Sequence, residues 1–479
     1  MGRITKNYLY NLAYQMLVLL VPLITAPYLA RTLGAMGTGV YGYVHSLTAL
    51  ICTVVMLGIF NYGSRQIAYV RDDSQALCDT FWRIMTVRLI LAGIGTVVYF
   101  IIVAVIGRYQ NLFLIYYTYL LGYFVDCTWL YVGVEDMKWA ALKNAALKLI
   151  TVAGIFLFVH DTGDTAVYVL IQGSSILMAN LLAYTQLRRY VCSPKVIFKG
   201  TRNDIWQSAK LFLPSMASAL YLECDKIMLE LMTNDSSQVS YYSYSEKLVL
   251  IPLSFITVMS TVMMPRIANE YTKGHMEKIS SLLNRGATFS LFMAIPMFAG
   301  ILATIDKLIP WYLGDEFLPT ITAVCVISPI ILTNTLSGIS GSQYFTATDQ
   351  TGILLKAQIS AAVGNIIINA ILIPQFGFVG AAVATTISST ICAVVQYFHL
   401  LKQVKLPGLI KTACRYGVIS LTMFAFIRIT THRLCCSPWT SALQMGIGIF
   451  FYLIVCGILK DEQLSLVILW LKKVIHRKE

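Results

Sequence analysis

The chain has 479 residues, of which 57% are hydrophobic and only 12% charged, against about 25% charged in soluble domains. That balance excludes an ordinary soluble enzyme or binding module and indicates a polytopic membrane protein. The net charge of +13 does not point to nucleic acid, because the Lys and Arg residues sit in short loops between apolar runs. No cleaved leader is expected, since the first apolar run lacks a convincing cleavage site and is long enough to span.

About fourteen apolar runs reach membrane-spanning length. They are 8–33, 39–60, 81–106, 112–132, 139–159, 166–184, 205–232, 240–264, 288–305, 318–345, 353–374, 379–401, 410–429 and 439–459. A polar stretch, 61–80, follows the second run, and a basic linker, 188–202, follows the sixth. The tail reads as an amphipathic helix with Lys472, Lys473, Arg477 and Lys478 on its polar side. With the N-terminus inside, the inner ends and loops collect roughly 29 of the 36 Lys and Arg. The outer loops then keep Arg31, Arg108, Lys307, Arg428 and Arg433. Both termini are therefore expected in the cytoplasm.

The chain also repeats itself loosely. A long run with Pro22, a short polar hairpin and Val40-Tyr41-Gly42-Tyr43 is echoed by a long run with Pro214, a hairpin and Val239-Ser240-Tyr241-Tyr242. The period is about 200 residues, or six runs. An even number of spans gives both copies the same orientation, so the copies are parallel repeats. The expected division is 1–200 for a first lobe, 201–404 for a second, and 405–479 for two extra spans and the tail. The expected fold class is all-α.

The seventh run is the most informative. Its stretch 211–232 carries Glu223, Asp225, Lys226 and Glu230, and a charge inside a span costs about 2.5–3.5 kcal/mol on insertion scales. Glu223, Lys226 and Glu230 share one helix face at i, i+3 and i+7, with Lys226 placed to pair with both acids. Asp225 points the other way, and Lys247 on the eighth run is its expected partner. Such charges persist only where they face protein or water, so this helix is expected to line a wet cavity.

Other patterns carry less. Gly37-Thr38-Gly39-Val40-Tyr41-Gly42 has G-x-G-x-x-G spacing, but no strand precedes it, and the glycines read as a tight turn. Trp129 with Gly133-Val134-Glu135-Asp136 reads either as an interfacial Trp and an acidic helix end or as part of a site. The 11 cysteines are scattered through apolar runs, contain no Cys-x-x-Cys, and read as small buried side chains. The six histidines lack ligand spacing, so neither a metal site nor another cofactor is expected. No nucleophile–base or paired-carboxylate constellation stands out, and no outer loop exceeds about thirteen residues. The chain reads as a non-enzyme.

Several segments, weak singly but specific in their order, resemble one family. They are Lys6-Asn7-Tyr8 with Tyr10-Asn11, Ala30-Arg31-Thr32-Leu33-Gly34, and Asn61-Tyr62-Gly63-Ser64-Arg65-Gln66-Ile67-Ala68. Trp129 with 133–138, Asp225-Lys226-Ile227-Met228-Leu229, 239–243 and 376–385 extend the likeness over nearly the whole chain. Together they are similar to bacterial oligosaccharide flippases, the Wzx or polysaccharide-transporter branch of the multidrug/oligosaccharidyl-lipid/polysaccharide superfamily. Ser240 stands where a glycine is common.

The resemblance implies two six-helix lobes around a central cavity. It also implies movement of undecaprenyl-diphosphate-linked oligosaccharide to the outer leaflet of the bacterial cell membrane by alternating access, coupled to H+, Na+ or the membrane potential. The partners it implies are the lipid-linked glycan, the bilayer, and a glycan polymerase with other assembly proteins; a monomer is expected. A diphosphate cargo needs cationic donors, and Arg31, Arg65, Arg88 and Lys148 could form a ladder along the first lobe, with Asp126 and Glu135 beside it. The second lobe, with Glu223, Asp225, Lys226, Glu230, Glu246 and Lys247, would host the coupling cation. Alternatives are a multidrug antiporter of the same fold, a lipid II flippase, and a glycan polymerase or transferase. The absence of an acid from the first run disfavours the antiporter, and the short outer loops disfavour the polymerase.

Overall fold

Apolar runs of this length hold their backbone polar groups inside a bilayer only as helices or closed barrels, and here they are helices. The computed structural model describes residues 3–475. Side chains at 3–19, 137–141 and 470–475, and at some positions of 211–221 and 258–262, fall outside that description. The opening motif with Lys6, Asn7 and Tyr8, the side chains of Lys472 and Lys473, and all of Arg477 and Lys478 therefore lie outside the described residues.

The helices are α1 (Arg3–Val55), α2 (Ile59–Val70), α3 (Ser74–Ile106), α4 (Gln110–Phe124), α5 (Thr128–Gly133), α6 (Met137–Phe158), α7 (Thr165–Ala183) and α8 (Thr201–Thr233). They continue with α9 (Ser236–Thr272), α10 (Met276–Tyr312), α11 (Pro319–Ile327), α12 (Ile330–Ser337), α13 (Thr351–Leu400), α14 (Leu409–Thr431), α15 (Pro438–Ile458) and α16 (Glu462–Ile475). A π-helical stretch, Gly338–Phe345, extends α12. There is no strand among the described residues.

Among the described residues, eight helical stretches are long and apolar enough to cross a membrane. The protein is an all-α, multi-span membrane protein. α8 is 33 residues long, and its stretch 211–232 carries four charges. α1 and α13 each carry two of the apolar runs, divided at a glycine. Gly34 has φ 67° and Gly377 has φ 54°, a region in which only glycine avoids a Cβ clash. The Gly37 and Gly39 pair does something other than turn the chain. Both are helical, and a Cβ on Gly39 would lie 1.8 Å from the Ser236 carbonyl oxygen, so glycine permits a backbone contact there.

The chain divides into two units, 1–240 and 241–479. In the first, Trp129 is fully buried rather than interfacial, and stacks on Phe81 at 5.1 Å. Gly63 makes room for its ring, because a Cβ there would sit 2.7 Å from Trp129 Cε3. α4 and α7 pack closely for the same kind of reason: Gly122 lies against the Leu177 backbone and Gly173 against Thr118. Cys78 and Cys192 form a disulfide with Cα atoms 5.8 Å apart, so two of the cysteines are a cross-link rather than filler. It fastens the linker after α7 to α3, beside hydrogen bonds from Trp82 Nε1 to the Cys192 carbonyl and from the Ile197 N–H to Thr86 Oγ1.

In the second unit, α10 packs on α14 and α15 around Phe292, Tyr416 and Tyr452. Tyr452 donates its hydroxyl to the Phe292 carbonyl at 2.8 Å, and Arg428 pairs with Asp306. Polar side chains there bond to one another: Ser389 donates to Asn334 at 2.7 Å and Ser340 to Gln396 at 2.7 Å.

Candidate functional site

The fourth apolar run is a broken helix, and the break shapes the site. α4 stops at Phe124 and α5 starts at Thr128, which frees the last carbonyls of α4 inside an apolar environment. Each is met by a side chain. Asn180 donates to Gly122 at 2.9 Å, Arg88 to the carbonyls of Tyr123 and Phe124, and Tyr184 to Val125 at 2.8 Å. Asp126 holds the start of α5 by accepting from the Thr128 N–H at 2.8 Å and its hydroxyl at 2.6 Å. Its other oxygen lies 3.6 Å from the Arg88 guanidinium.

A cavity of about 500 Å³ opens on this break. Arg88, Asp126 and Lys148, from α3, the break and α6, all line it. Asn144, Gln172, Ser175 and Asn180 supply hydrogen-bonding groups of both signs, and Tyr119 and Tyr123 add ring faces. Lys148 forms no hydrogen bond or ion pair among the described residues, whereas Lys143, one turn earlier, is buried and donates to the Ala179 carbonyl at 2.6 Å. The cavity thus offers one unspent ammonium, one guanidinium anchored at its inner edge, and a carboxylate between helix ends. That set can hold an anion together with a hydroxyl-rich group.

The remaining anticipated residues lie elsewhere. Arg31 is exposed on α1, three residues before the Gly34 bend. Arg65 is exposed on α2 and donates Nε to the Tyr69 hydroxyl at 2.7 Å. Glu135 is exposed, with φ 59°, and pairs with Arg71 at 2.7 Å; neither it nor Arg65 lines the cavity. That pairing raises the Arg71 pKa, chiefly through the hydrogen bond to Glu135. On α8, Lys226 lies 3.7 Å from Glu223, as the i, i+3 spacing implies, and a Glu223 oxygen is buried without a hydrogen bond. Glu230 is buried and is held from outside its helix, by the Ser236 hydroxyl at 2.6 Å and by Arg108 at 3.5 Å. Asp225 is buried in the first unit. Glu246 is buried in the second unit, where Lys247 places its ammonium 5.2 Å from the centre of the Tyr244 ring.

Sequence reasoning missed Arg108, which reads as an outer-loop positive charge, and the amides Asn144, Gln172 and Asn180. A polar amide inside an apolar run was the available signal for the last three. Nothing in the local sequence links Arg108 to Glu230, 122 positions away.

A broken membrane helix that opens on a polar cavity lined by charge suits a transporter. The sequence profile of the family "Polysaccharide biosynthesis protein" matches residues 4–270, and the chain belongs to that family, whose members include lipid-linked glycan flippases and O-antigen transporters. The profile "Lipid II flippase MurJ" matches residues 145–448. The chain is 22% identical over 401 residues to an O-antigen transporter of Escherichia coli (strain K12), covering 81% of this chain and 94% of that one. It is 26% identical over 318 residues to the low-salt glycan biosynthesis flippase Agl15 of Haloferax volcanii, covering 65% of each. Among solved structures, the inward closed conformation of lipid II flippase MurJ has a TM-score of 0.74 at 19% identity, over 95% of this chain and 98% of that one. An inward-facing multidrug resistance MATE family transporter has a TM-score of 0.62 at 15% identity, over 82% and 96%. The fold is that of the MurJ and MATE transporters.

Proposed function

We propose that this protein moves undecaprenyl-diphosphate-linked oligosaccharide units from the cytoplasmic to the outer leaflet, for a cell-surface polysaccharide such as capsule or O-antigen. The observation that carries the proposal is the cavity that joins Lys148, unpaired among the described residues, to Arg88, with amides and tyrosine rings around them. Cations suit the diphosphate; amides and ring faces suit a sugar. The kinship with glycan flippases supports the same reading. In it the fourteen apolar runs are fourteen spans with both termini cytoplasmic, arranged as two parallel six-helix repeats and two further spans. The α8 charges then serve coupling to H+ or Na+.

The direct test is leaflet exchange in vesicles holding the purified protein and a fluorescent undecaprenyl-diphosphate oligosaccharide. Wild-type protein should expose the label to an external quencher. Lys148→Gln at equal reconstitution should slow exposure about tenfold or more, the loss of roughly 1.4 kcal/mol of binding. Equal rates with and without protein would overturn the transport reading. The orientation is tested separately, with a reporter active only in the cytoplasm fused after Lys195 or after Thr162. Activity after Lys195 alone supports the topology.

A second reading, lipid II as cargo, is favoured by the MurJ profile over 145–448. Competition separates the two: unlabelled lipid II should not slow exchange of the oligosaccharide lipid.

A further inference from the structure

The second unit contains another cavity, of about 360 Å³, where the first turns of α10 and α14 meet the start of α16. Part of its polar lining is already committed. Asp461, with 1% of its side chain exposed, accepts from Arg415 at 2.9 Å, from the Tyr416 hydroxyl at 3.1 Å and from the Gln463 N–H at 2.9 Å. This cluster ties α14 to α16 and neutralises Arg415. Two opposite charges in the same cavity are not committed. Arg285 on α10 and Glu462 on α16 are both exposed, and neither forms a hydrogen bond or ion pair among the described residues. Asn284 Oδ1 is buried there without a partner, and the hydroxyls of Thr288 and Thr412 have none among the described residues.

A ligand that satisfies this set carries an oxyanion for Arg285 and the hydroxyls, and an N–H-bearing cation for Glu462 and Asn284. Inorganic phosphate supplies only the first, and a quaternary amine cannot donate to Asn284. The surroundings say where such a ligand comes from. Ile410 is 80% exposed at the start of α14, Ile458 is 75% exposed at the end of α15, and Leu466 is 51% exposed on α16. Apolar side chains of this size, bare beside a polar cavity in a membrane protein, mark the boundary between acyl chains and headgroups.

We infer that this cavity is a binding site for the phosphoethanolamine headgroup of a membrane phospholipid, with phosphate on Arg285 and ammonium on Glu462. The lipid then occupies the junction of α10, α14 and α16, apart from the cavity on the α4–α5 break. The inference stands on the second unit alone and does not depend on the identity of the cargo.

The test is lipid retention by the purified full-length protein, read by native mass spectrometry after exposure to an equimolar mixture of phosphatidylethanolamine, phosphatidylglycerol and phosphatidylcholine. Phosphatidylethanolamine should be retained roughly tenfold over each of the others, equivalent to about 1.4 kcal/mol. Arg285→Gln and Glu462→Gln should each reduce its retention to the phosphatidylcholine level while leaving Tm in lipid-free detergent unchanged. Lys148→Gln, in the other cavity, should leave retention as it is. Equal retention of the three lipids overturns the inference, as does undiminished retention by both variants. If Arg285→Gln does not fold, Glu462→Gln decides alone. Soluble O-phosphoethanolamine should displace the lipid only weakly; displacement at the same concentration as the lipid would make the site one for a soluble molecule and overturn the lipid assignment.

Discussion

Arg88 on α3 donates its Nε to the Phe124 carbonyl at the end of α4, 2.9 Å away and 36 positions on in the chain. The same guanidinium reaches the Tyr123 carbonyl and lies 3.6 Å from Asp126. It therefore substitutes for the hydrogen bonds that a continuous helix would have made, and it neutralises the acid at the break. Arg88 is buried to 1% exposure, and its bonds to the break are made out of bulk solvent.

Replacing it should accordingly damage the fold before it affects any cargo. Arg88→Leu leaves two carbonyls and a carboxylate without their partner and should cost about 3–5 kcal/mol. Arg88→Lys keeps the charge but cannot reach both carbonyls and the acid, and should lie between. Thermal unfolding of the purified variants in detergent measures both. A leucine variant as stable as wild type would contradict the account of the break.

Gly39 is the next sensitive point. A methyl group there would lie 1.8 Å from the Ser236 oxygen and 2.5 Å from its carbonyl carbon, both backbone atoms. Gly39→Ala must push the start of α9 away from α1, at about 1–3 kcal/mol for overpacking. Thr38 and Ser240, whose hydroxyls lie 2.6 Å apart, would be separated by the same shift. Loss of thermal stability and of folded yield is expected. Ala at Gly93, which faces open space inside α3, should lower neither and serves as the control.

Lys226 tests the charge cluster on α8. Lys226→Glu adds a fourth acid to Glu223, Asp225 and Glu230 and removes the cation beside Glu223, whose buried oxygen already lacks a hydrogen bond. At matched amounts of folded membrane protein, display of surface glycan should fall to background. Lys226→Arg should retain most of it. Full display with glutamate would sink the role in coupling; failure to accumulate folded protein would assign the cluster to structure.

Asp164, between α6 and α7, gives a pH signature outside the spans. The backbone N–H groups of His160 and Asp161 donate to its carboxylate at 2.8 and 3.2 Å and hold its pKa below the usual carboxylate range. A depressed pKa means that its stabilisation is present above the ordinary carboxylate range and is lost as pH falls through the lowered value. The gap in thermal stability between wild type and Asp164→Ala should stay constant near neutrality and close in acid. A gap that widened on acidification would contradict the assignment.

The sequence by itself determined the class of the protein and the run of its helices. Long apolar runs can satisfy their backbone only by becoming helices, and a charged face in such a run needs protein or water to receive it, as the Glu223–Lys226 pair shows. Helix periodicity also placed that pair, because partners three residues apart meet through local geometry alone. What only the tertiary structure decided is which distant residues share a site. It brought Arg88, Asp126 and Lys148 to one cavity and left Arg65 and Glu135 outside it. It gave Glu230 to Arg108, buried Trp129 against Phe81 and Gly63, and joined Cys78 to Cys192. These outcomes rest on helix packing and on the unmet carbonyls of a broken helix. A partner for such a group can come from any helix that passes near it, and sequence spacing holds no record of which helix that is.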